Sequence, residues 1–120
     1  MTKRISFSKH EQKIIPTFRQ KINHAESTED VKKFFYYSVK ELFDDIFQGQ
    51  VTCDYEDIVL VPGAGPYYST SQRLLDSESF QSAWRDSDLP RVLGRLADSA
   101  VKRYRRLEKH SEKTDLKIRM

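Results

Sequence analysis

The most regular apolar pattern in the chain lies between residues 28 and 48. Its apolar side chains recur every three or four residues and form one broad stripe: Val31, Phe34, Phe35, Val39, Leu42, Phe43, Ile46 and Phe47. Ser27 or Thr28 is placed to cap the start of this helix, and Gly49 is placed to end it. Because the helix is apolar over more than half of its circumference, we expect it at the centre of the fold.

A second stripe predicts a long helix near the C-terminus. Asp88 is placed to cap this helix, and Pro90 is tolerated in its first turn. Its apolar residues keep the spacing of threes and fours for about five turns: Leu89, Val92, Leu93, Leu96, Ala97, Ala100, Val101, Tyr104 and Leu107. At ~1.5 Å per residue, a helix over residues 89–112 is about 36 Å long, so we expect its last turns to project beyond the core.

Two further helices are predicted from shorter patterns. Ser8 and Glu11 match a capping box for a helix that begins at Lys9, and Pro16 is expected to kink or split this helix. Its apolar residues have helical spacing: Ile14, Ile15, Phe18 and Ile22. A short helix is predicted later in the chain, around Leu74, Leu75, Phe80 and Trp84.

Between residues 51 and 61 the period changes from helical to alternating. Apolar residues alternate with polar ones over residues 51–55, and residues 58–61 form a short β-branched run, so we predict a hairpin that turns near residues 56–57. Pro62 and Gly63 fit a type II turn in which Gly63 has a positive φ. Residues 1–7 and 113–120 are either short edge strands or frayed ends.

These elements predict an α+β fold that is predominantly helical, with about four helices and a small antiparallel β-hairpin between the second and third. The length of 120 residues suits a single domain over residues 1–120. No apolar run approaches the ~18–20 residues that span a bilayer, and the first residues lack the apolar segment of a secretory signal. A single cysteine excludes an internal disulfide. We therefore expect a small, soluble, cytoplasmic domain without a membrane partner.

The net charge of +3 conceals an uneven distribution. Residues 1–24 carry six basic residues against one acid, and residues 101–120 carry eight against three, so each end has a charge of +5. Residues 25–100 carry seven basic residues against fourteen acids, a charge of −7. Either the basic ends neutralise the acidic middle, or the two ends lie together and meet an acidic protein or a polyanion.

The sequence offers little catalytic chemistry. Gly63-Ala64-Gly65 follows an apolar strand as a phosphate-binding loop does, but Tyr68 replaces the third glycine of a dinucleotide motif, so turn formation is the favoured interpretation. Cys53 is expected to be a buried, inert thiol. We predict no catalytic, cofactor-binding or metal-binding residues, since the three histidines lack the spacing of a helical metal site. A small-molecule enzyme around the glycine turn and the nearby acids is kept as a third hypothesis.

Candidate partner-binding residues lie in two regions. Tyr67 and Tyr68 are in a loop rich in Gly and Pro, where tyrosine supplies contact area at low entropic cost. The last predicted helix carries basic residues opposite its apolar stripe, and these are the candidate contacts Arg95, Lys102, Arg105, Arg106 and Lys109. We hypothesise a non-enzymatic module that binds a protein, by preference an acidic one, or a second copy of itself. The alternative is non-specific nucleic-acid binding through the basic terminal segments.

Overall fold

The computed structural model describes residues 6–63 and 65–119, and the side chains of these residues up to 109. Within those ranges the helices are α1 (Ser8–Asn23), α2 (Thr28–Phe47), α3 (Gln72–Leu75), α4 (Glu78–Asp86) and α5 (Leu89–Arg119). The strands are β1 (Ile58–Leu60) and β2 (Tyr68–Thr70), which pair as one antiparallel hairpin. The predominantly helical α+β fold with a hairpin between the second and third helices is therefore confirmed. None of the helices in these ranges is long and apolar enough to cross a membrane.

Helix α2 is the central element, as its apolar stripe predicted. Its side chains Val31, Phe35 and Phe43 are fully buried, and the helix packs against α1, α5 and β1. The hydroxyl of Ser27 accepts a hydrogen bond from the backbone N–H of Asp30 and so caps the first turn. At the other end Gln48 and Gly49 have φ values of 52° and 84°. This left-handed backbone is a common end to a helix.

Helix α5 buries its apolar stripe against α2 and then continues past the core. Its last fully buried side chain in the described part is Val101, and Tyr104 and Leu107 are half-buried. The backbone remains helical to Arg119, so of the two alternatives for residues 113–120 the edge strand is wrong for 113–119. The physical reason is that no Gly or Pro follows Gly94 to end the helix.

The start of α1 differs from the predicted capping box. Ser8 bonds through its hydroxyl to Ser6, while the Glu11 carboxylate turns into the protein. Asp88 does precede α5, but its carboxylate accepts hydrogen bonds from the Phe7 backbone N–H at 2.8 Å and from the Ser6 hydroxyl at 3.0 Å. Asp88 therefore ties the start of α1 to the start of α5. The predicted edge strand over residues 1–7 lies largely outside the described residues.

Pro16 lies inside α1 without splitting it, because the helix is continuous from Ser8 to Asn23. Pro16 is on the exposed side of the helix, where water can bind the carbonyl that the missing N–H leaves unpaired. The short helix predicted around Leu74 and Trp84 is divided into α3 and α4. The hydroxyl of Ser71 caps α3 by accepting a hydrogen bond from the Leu74 N–H.

The hairpin lies later in the chain than the alternating pattern predicted. Ile58 is opposite Thr70 and Leu60 is opposite Tyr68, so residues 61–67 form the loop between the strands. Residues 51–55 contain no strand, and the predicted turn near residues 56–57 does not join two strands. Residues 51–54 alternate between buried and exposed positions, in keeping with the apolar and polar alternation that resembled a strand.

Side chains, and not a neighbouring strand, bind much of the backbone of residues 51–56. The Tyr36 hydroxyl donates a hydrogen bond to the Cys53 carbonyl at 2.9 Å. The buried Asp57 carboxylate accepts hydrogen bonds from the Asp54 backbone N–H at 2.8 Å and from the Ser71 hydroxyl at 2.6 Å. These bonds satisfy polar groups that a strand would otherwise pair in a sheet, so the segment is ordered as a loop.

The loop between the strands also differs from the prediction. Gly63 does not have a positive φ, so the type II turn proposed there is wrong. Tyr67 instead has a φ of 76°, and it follows a cis peptide bond between Gly65 and Pro66. The Val61 N–H donates to the Tyr67 carbonyl at 2.7 Å. The strands are thus joined by a longer loop that does not require left-handed backbone at Gly63.

The thiol of Cys53 is buried, as predicted. Burial, together with the nearby carboxylates of Asp57 and Asp54, raises the pKa of this thiol to about 12. The thiol is therefore protonated at neutral pH and lacks the thiolate character of a reactive cysteine.

Candidate binding groove between α1 and α5

A groove of about 620 Å³ lies between α1 and α5, with Pro66 of the hairpin loop at its edge. From α1 it is lined by Glu11, Ile15, Phe18 and Arg19. From α5 it is lined by Pro90, Arg91, Gly94, Arg95, Leu96, Asp98 and Ser99. The two helices run in the same direction along the groove, because residue numbers increase along both walls together.

A second cavity of about 240 Å³ continues the first one along the two helices. It shares Phe18, Arg19 and Ser99 with the first cavity. Its remaining lining residues are Ile22, Asn23, Lys102, Arg103 and Arg106. We refer to the two cavities together as the α1–α5 groove, and to the second cavity as its basic end.

The basic side chains of α5 reach the groove because of their spacing. Arg91, Arg95, Lys102 and Arg106, with Asp98 among them, are separated by three or four residues and therefore share one face of the helix. Arg19 faces them from α1. With Arg103, six cations and two acids line the groove, which gives it a formal charge of +4.

Both acids of the groove are paired with cations. Arg95 donates two hydrogen bonds to the buried Glu11 carboxylate, from Nε at 2.7 Å and from Nη2 at 2.6 Å. These hydrogen bonds raise the pKa of the Arg95 guanidinium. Lys102 Nζ lies 3.2 Å from Asp98 Oδ2. Among the described residues, the side chains of Arg19, Arg91 and Arg106 have no such partner, so their charges are available to a ligand.

The opposite side of α1, which faces α2, is acidic. A cavity of about 330 Å³ there is lined by the carboxylates of Glu41, Asp44 and Asp45, with His10 and Lys13 on the α1 wall. The hydrogen bond from His10, with Lys13 nearby, lowers the pKa of Asp45. We refer to this cavity as the α1–α2 groove. Helix α1 thus separates a basic groove from an acidic one.

The predicted partner-binding residues on α5 divide between two places. Arg95, Lys102 and Arg106 line the α1–α5 groove, although Arg95 also holds Glu11. Lys109 is exposed on α5 beyond the groove. Arg105 instead reaches the hairpin loop, where its Nη2 donates to the Pro62 carbonyl at 3.1 Å.

The two predicted tyrosines connect the hairpin to α5. The ring of Tyr67 lies under the Arg105 guanidinium, 5.4 Å from it. Tyr68 donates its hydroxyl to the Pro90 carbonyl at 3.2 Å, and its ring packs edge-on against Trp84. Burial raises the pKa of Tyr68. Both tyrosines are half-buried and position the loop that carries Pro66 to the groove.

Most groove residues were not predicted as binding residues from the sequence, among them Ile15, Phe18, Arg19 and Arg103. The first three are on α1, and their role depends on the packing of α1 against α5, which no local pattern reveals. Arg103 falls between the apolar and basic faces of α5, so the sequence pattern does not place it on either face. One sequence signal did connect α1 and α5: residues 1–24 and residues 101–120 are both basic, which suggested that the two segments lie together.

Searches against protein-family models, curated proteins and solved structures found no match to this chain. Among the described residues, no group of three or more His, Cys, Asp or Glu side chains is arranged to hold a metal ion. Functional inference therefore rests on the geometry and charge of the α1–α5 groove.

Proposed function

We propose that this chain is a non-enzymatic binding module whose α1–α5 groove takes an acidic segment of a partner protein. The observation that carries the proposal is the convergence of six cations from two helices on one apolar-walled groove. Three of these cations, Arg19, Arg91 and Arg106, are exposed and unpaired among the described residues. Such a surface complements a segment that carries carboxylates.

The apolar walls favour a protein ligand. Ile15, Leu96, Pro66 and Pro90 lie among the cations of the larger cavity. A peptide that alternates acidic and apolar side chains can contact both the cations and the walls, and burial of its apolar atoms adds to its affinity. From Arg91 to Arg106 the α5 wall is roughly 22 Å long at ~1.5 Å per residue, which matches about seven residues of an extended peptide.

The acidic α1–α2 groove argues against a long nucleic acid as the ligand. It lies on the other side of the same helix, and its carboxylates repel a polyanion that wraps around α1. A short acidic segment that ends within the α1–α5 groove avoids this repulsion. Nucleic-acid binding through the terminal segments is therefore the alternative that the binding experiment must separate from a protein ligand.

Replacement of three groove arginines by glutamine will test the charge of the groove. The probe is a fluorescein-labelled peptide of alternating Glu and Leu, followed by fluorescence anisotropy at physiological salt. We expect the variant Arg19→Gln/Arg91→Gln/Arg106→Gln to bind roughly tenfold more weakly, since exposed pairs of about 0.5 kcal/mol each are lost at three positions. Thermal unfolding should change little, because these side chains are exposed.

The matched control removes the same charge from another part of the surface. Lys33, Lys40 and Arg85 are exposed, and none of them lines the α1–α5 groove. Their triple glutamine variant should bind the peptide nearly as the unmodified protein does. The proposal is contradicted if both variants lose the same amount of peptide affinity, or if the unmodified protein does not bind the peptide. Tighter binding of a random DNA duplex at the same salt, lost in the groove variant, would favour the nucleic-acid alternative.

Gly94 allows a second test that does not change charge. A Cβ at this helical position meets no atom within 4 Å, so alanine should stabilise the fold by roughly 0.5–1 kcal/mol through better helix propensity. Phenylalanine at the same position should extend into the groove and abolish peptide binding while the protein stays folded. Unfolding in urea and peptide anisotropy measure the two effects. Full peptide affinity in Gly94→Phe would place the ligand elsewhere.

A further inference from the structure

We infer that the basic end of the α1–α5 groove is a subsite for a phosphate monoester, carried on a phosphorylated side chain of the acidic segment. This inference rests on the proposed function and adds the chemical group that one part of the groove recognises. The basic end differs from the rest of the groove in its lining. Four cations surround it with two uncharged polar side chains, and no acid lines it: Arg19, Lys102, Arg103, Arg106, Asn23 and Ser99.

Arg103 provides an independent observation that points to a ligand. Its Nη2 donates to the Ala25 carbonyl at 2.9 Å, which fixes the guanidinium at the end of α1. Its Nε is buried and has no hydrogen-bond partner, and it is the one side-chain nitrogen or oxygen of the described residues in that condition. A buried donor without an acceptor is costly, so an anion that enters the adjoining basic end and reaches this Nε–H would remove that cost.

The number of cations suits a dianion better than a carboxylate. A phosphate monoester carries about −1.5 to −2 charges at neutral pH and presents three strong acceptor oxygens. Arginine matches that group because its planar guanidinium donates two parallel hydrogen bonds to it. Lys102 is partly balanced by Asp98, which leaves Arg19, Arg103 and Arg106 for the anion. A carboxylate would neutralise only one of these three charges.

Access and size agree with this assignment. The cavity of about 240 Å³ opens to the surface beside Arg19 and Arg106, both of which are exposed. It continues into the larger part of the groove through Phe18 and Ser99. A segment bound along α5 can therefore place one phosphorylated side chain in the basic end while its acidic and apolar residues occupy the rest.

The first experiment follows the arginine Nε–Hε signals in ¹⁵N-edited NMR spectra during titration with O-phosphoserine, inorganic phosphate and acetate. We expect saturable shifts of the Arg103 Nε–Hε signal with both phosphates and much weaker shifts with acetate. Arg106→Gln should weaken phosphate binding at least about tenfold, and Arg85→Gln should leave it unchanged. Arg103→Lys keeps the charge and removes Nε, and it should also weaken binding. Arg103→Lys also loses the hydrogen bond to the Ala25 carbonyl. If the Arg103→Lys variant does not fold, the result for Arg106→Gln decides.

The second experiment compares the Glu and Leu peptide with the same peptide carrying one phosphoserine. We expect the phosphopeptide to bind at least about tenfold more tightly than the unphosphorylated peptide. Arg106→Gln should lose this difference in affinity, and Arg85→Gln should keep it. Equal affinity for the two peptides overturns the phosphate subsite and leaves the proposed function intact. Phosphate shifts of the Arg103 Nε–Hε signal that persist unchanged in Arg106→Gln identify an adventitious ion only and overturn the subsite. Failure of both peptides to bind overturns both proposals.

Discussion

Replacement of Phe35 by alanine is expected to lower the free energy of unfolding by roughly 3–5 kcal/mol. Phe35 has no exposed surface and lies at the middle of α2, which packs against α1, α5 and β1. The substitution removes a buried phenyl ring and leaves a cavity that these elements can fill only partly. A loss of this size is a large fraction of the roughly 5–15 kcal/mol that stabilises an ordinary domain.

Urea unfolding followed by circular dichroism measures the effect, with the m-value as a check that the transition stays two-state. Tyr37 is a suitable comparison because it follows Phe35 on the same helix and is 50% exposed. Its replacement by alanine should cost no more than about 1 kcal/mol. If Phe35→Ala cost as little as that, α2 would not be the centre of the fold.

Replacement of Asp57 by alanine should cost about 3 kcal/mol, because several donors lose one buried acceptor. The carboxylate accepts hydrogen bonds from the Asp54 N–H, the Ser71 hydroxyl and the Arg73 guanidinium. It therefore connects the loop of residues 51–57 to the start of α3. Asp54→Ala on the same loop is the control, since the Asp54 side chain is 80% exposed and its loss should cost far less.

The contribution of Asp57 should depend on pH in a defined direction. Burial alone would raise the pKa of Asp57, but hydrogen bonds from Arg73, Ser71 and the Asp54 N–H outweigh it and lower the pKa below the ordinary value. The folded protein then binds this proton more weakly than the unfolded chain, whose aspartate pKa is about 3.9. The stabilisation is complete above about pH 4 and is lost as the pH falls through the lower folded-state pKa.

Urea unfolding at a series of acidic pH values tests this linkage. The unmodified protein should lose stability steeply below about pH 4, and Asp57→Asn should show a weaker dependence over the same range. Part of the pH dependence of the free energy of unfolding will remain in Asp57→Asn. The reason is that hydrogen bonds from the Phe7 N–H and the Ser6 hydroxyl also lower the pKa of Asp88, against the effect of its burial. Identical pH profiles for the two proteins would show that Asp57 is not held as a stabilising carboxylate.

The helical part of the fold could be predicted because its signals are local. The stripe from Val31 to Phe47 defined α2, and the run from Leu89 to Leu107 defined the part of α5 that packs on it. Both patterns repeat for several turns, so a single misleading residue changes little, just as Pro16 does not interrupt α1. A cap depends on one or two residues and is harder to predict: Ser27 caps α2 as expected, but the capping box of α1 was wrong, since Glu11 bonds to Arg95 and not to its own helix.

The hairpin could not be located from local signals. Residues 51–54 alternate in burial without a strand partner, because Tyr36 and Asp57 bind the loop through side chains. The true partner of β1 begins at Tyr68, after a loop whose closing bond joins Val61 to Tyr67. Nothing in the intervening Gly and Pro residues specifies that register.

The candidate groove depends on pairs of residues that are distant in the sequence. Glu11 and Arg95 are 84 positions apart, and Arg103 meets the Ala25 carbonyl from 78 positions away. Sequence patterns could place cations on the outer side of α5, but they could not show that α1 would supply the facing wall. For the same reason Arg95 was assigned to a free surface, although it holds a buried carboxylate.

For the acidic partner segment that we propose, the opposite charges of the two grooves beside α1 would also affect how fast it arrives. A basic groove on one side and an acidic one on the other give the molecule a permanent electric asymmetry across a single helix. An approaching acidic segment is attracted to one side and repelled from the other, so it is turned towards the α1–α5 groove before contact. The encounter therefore accelerates as ionic strength falls, while the lifetime of the bound state is set mainly by the apolar walls.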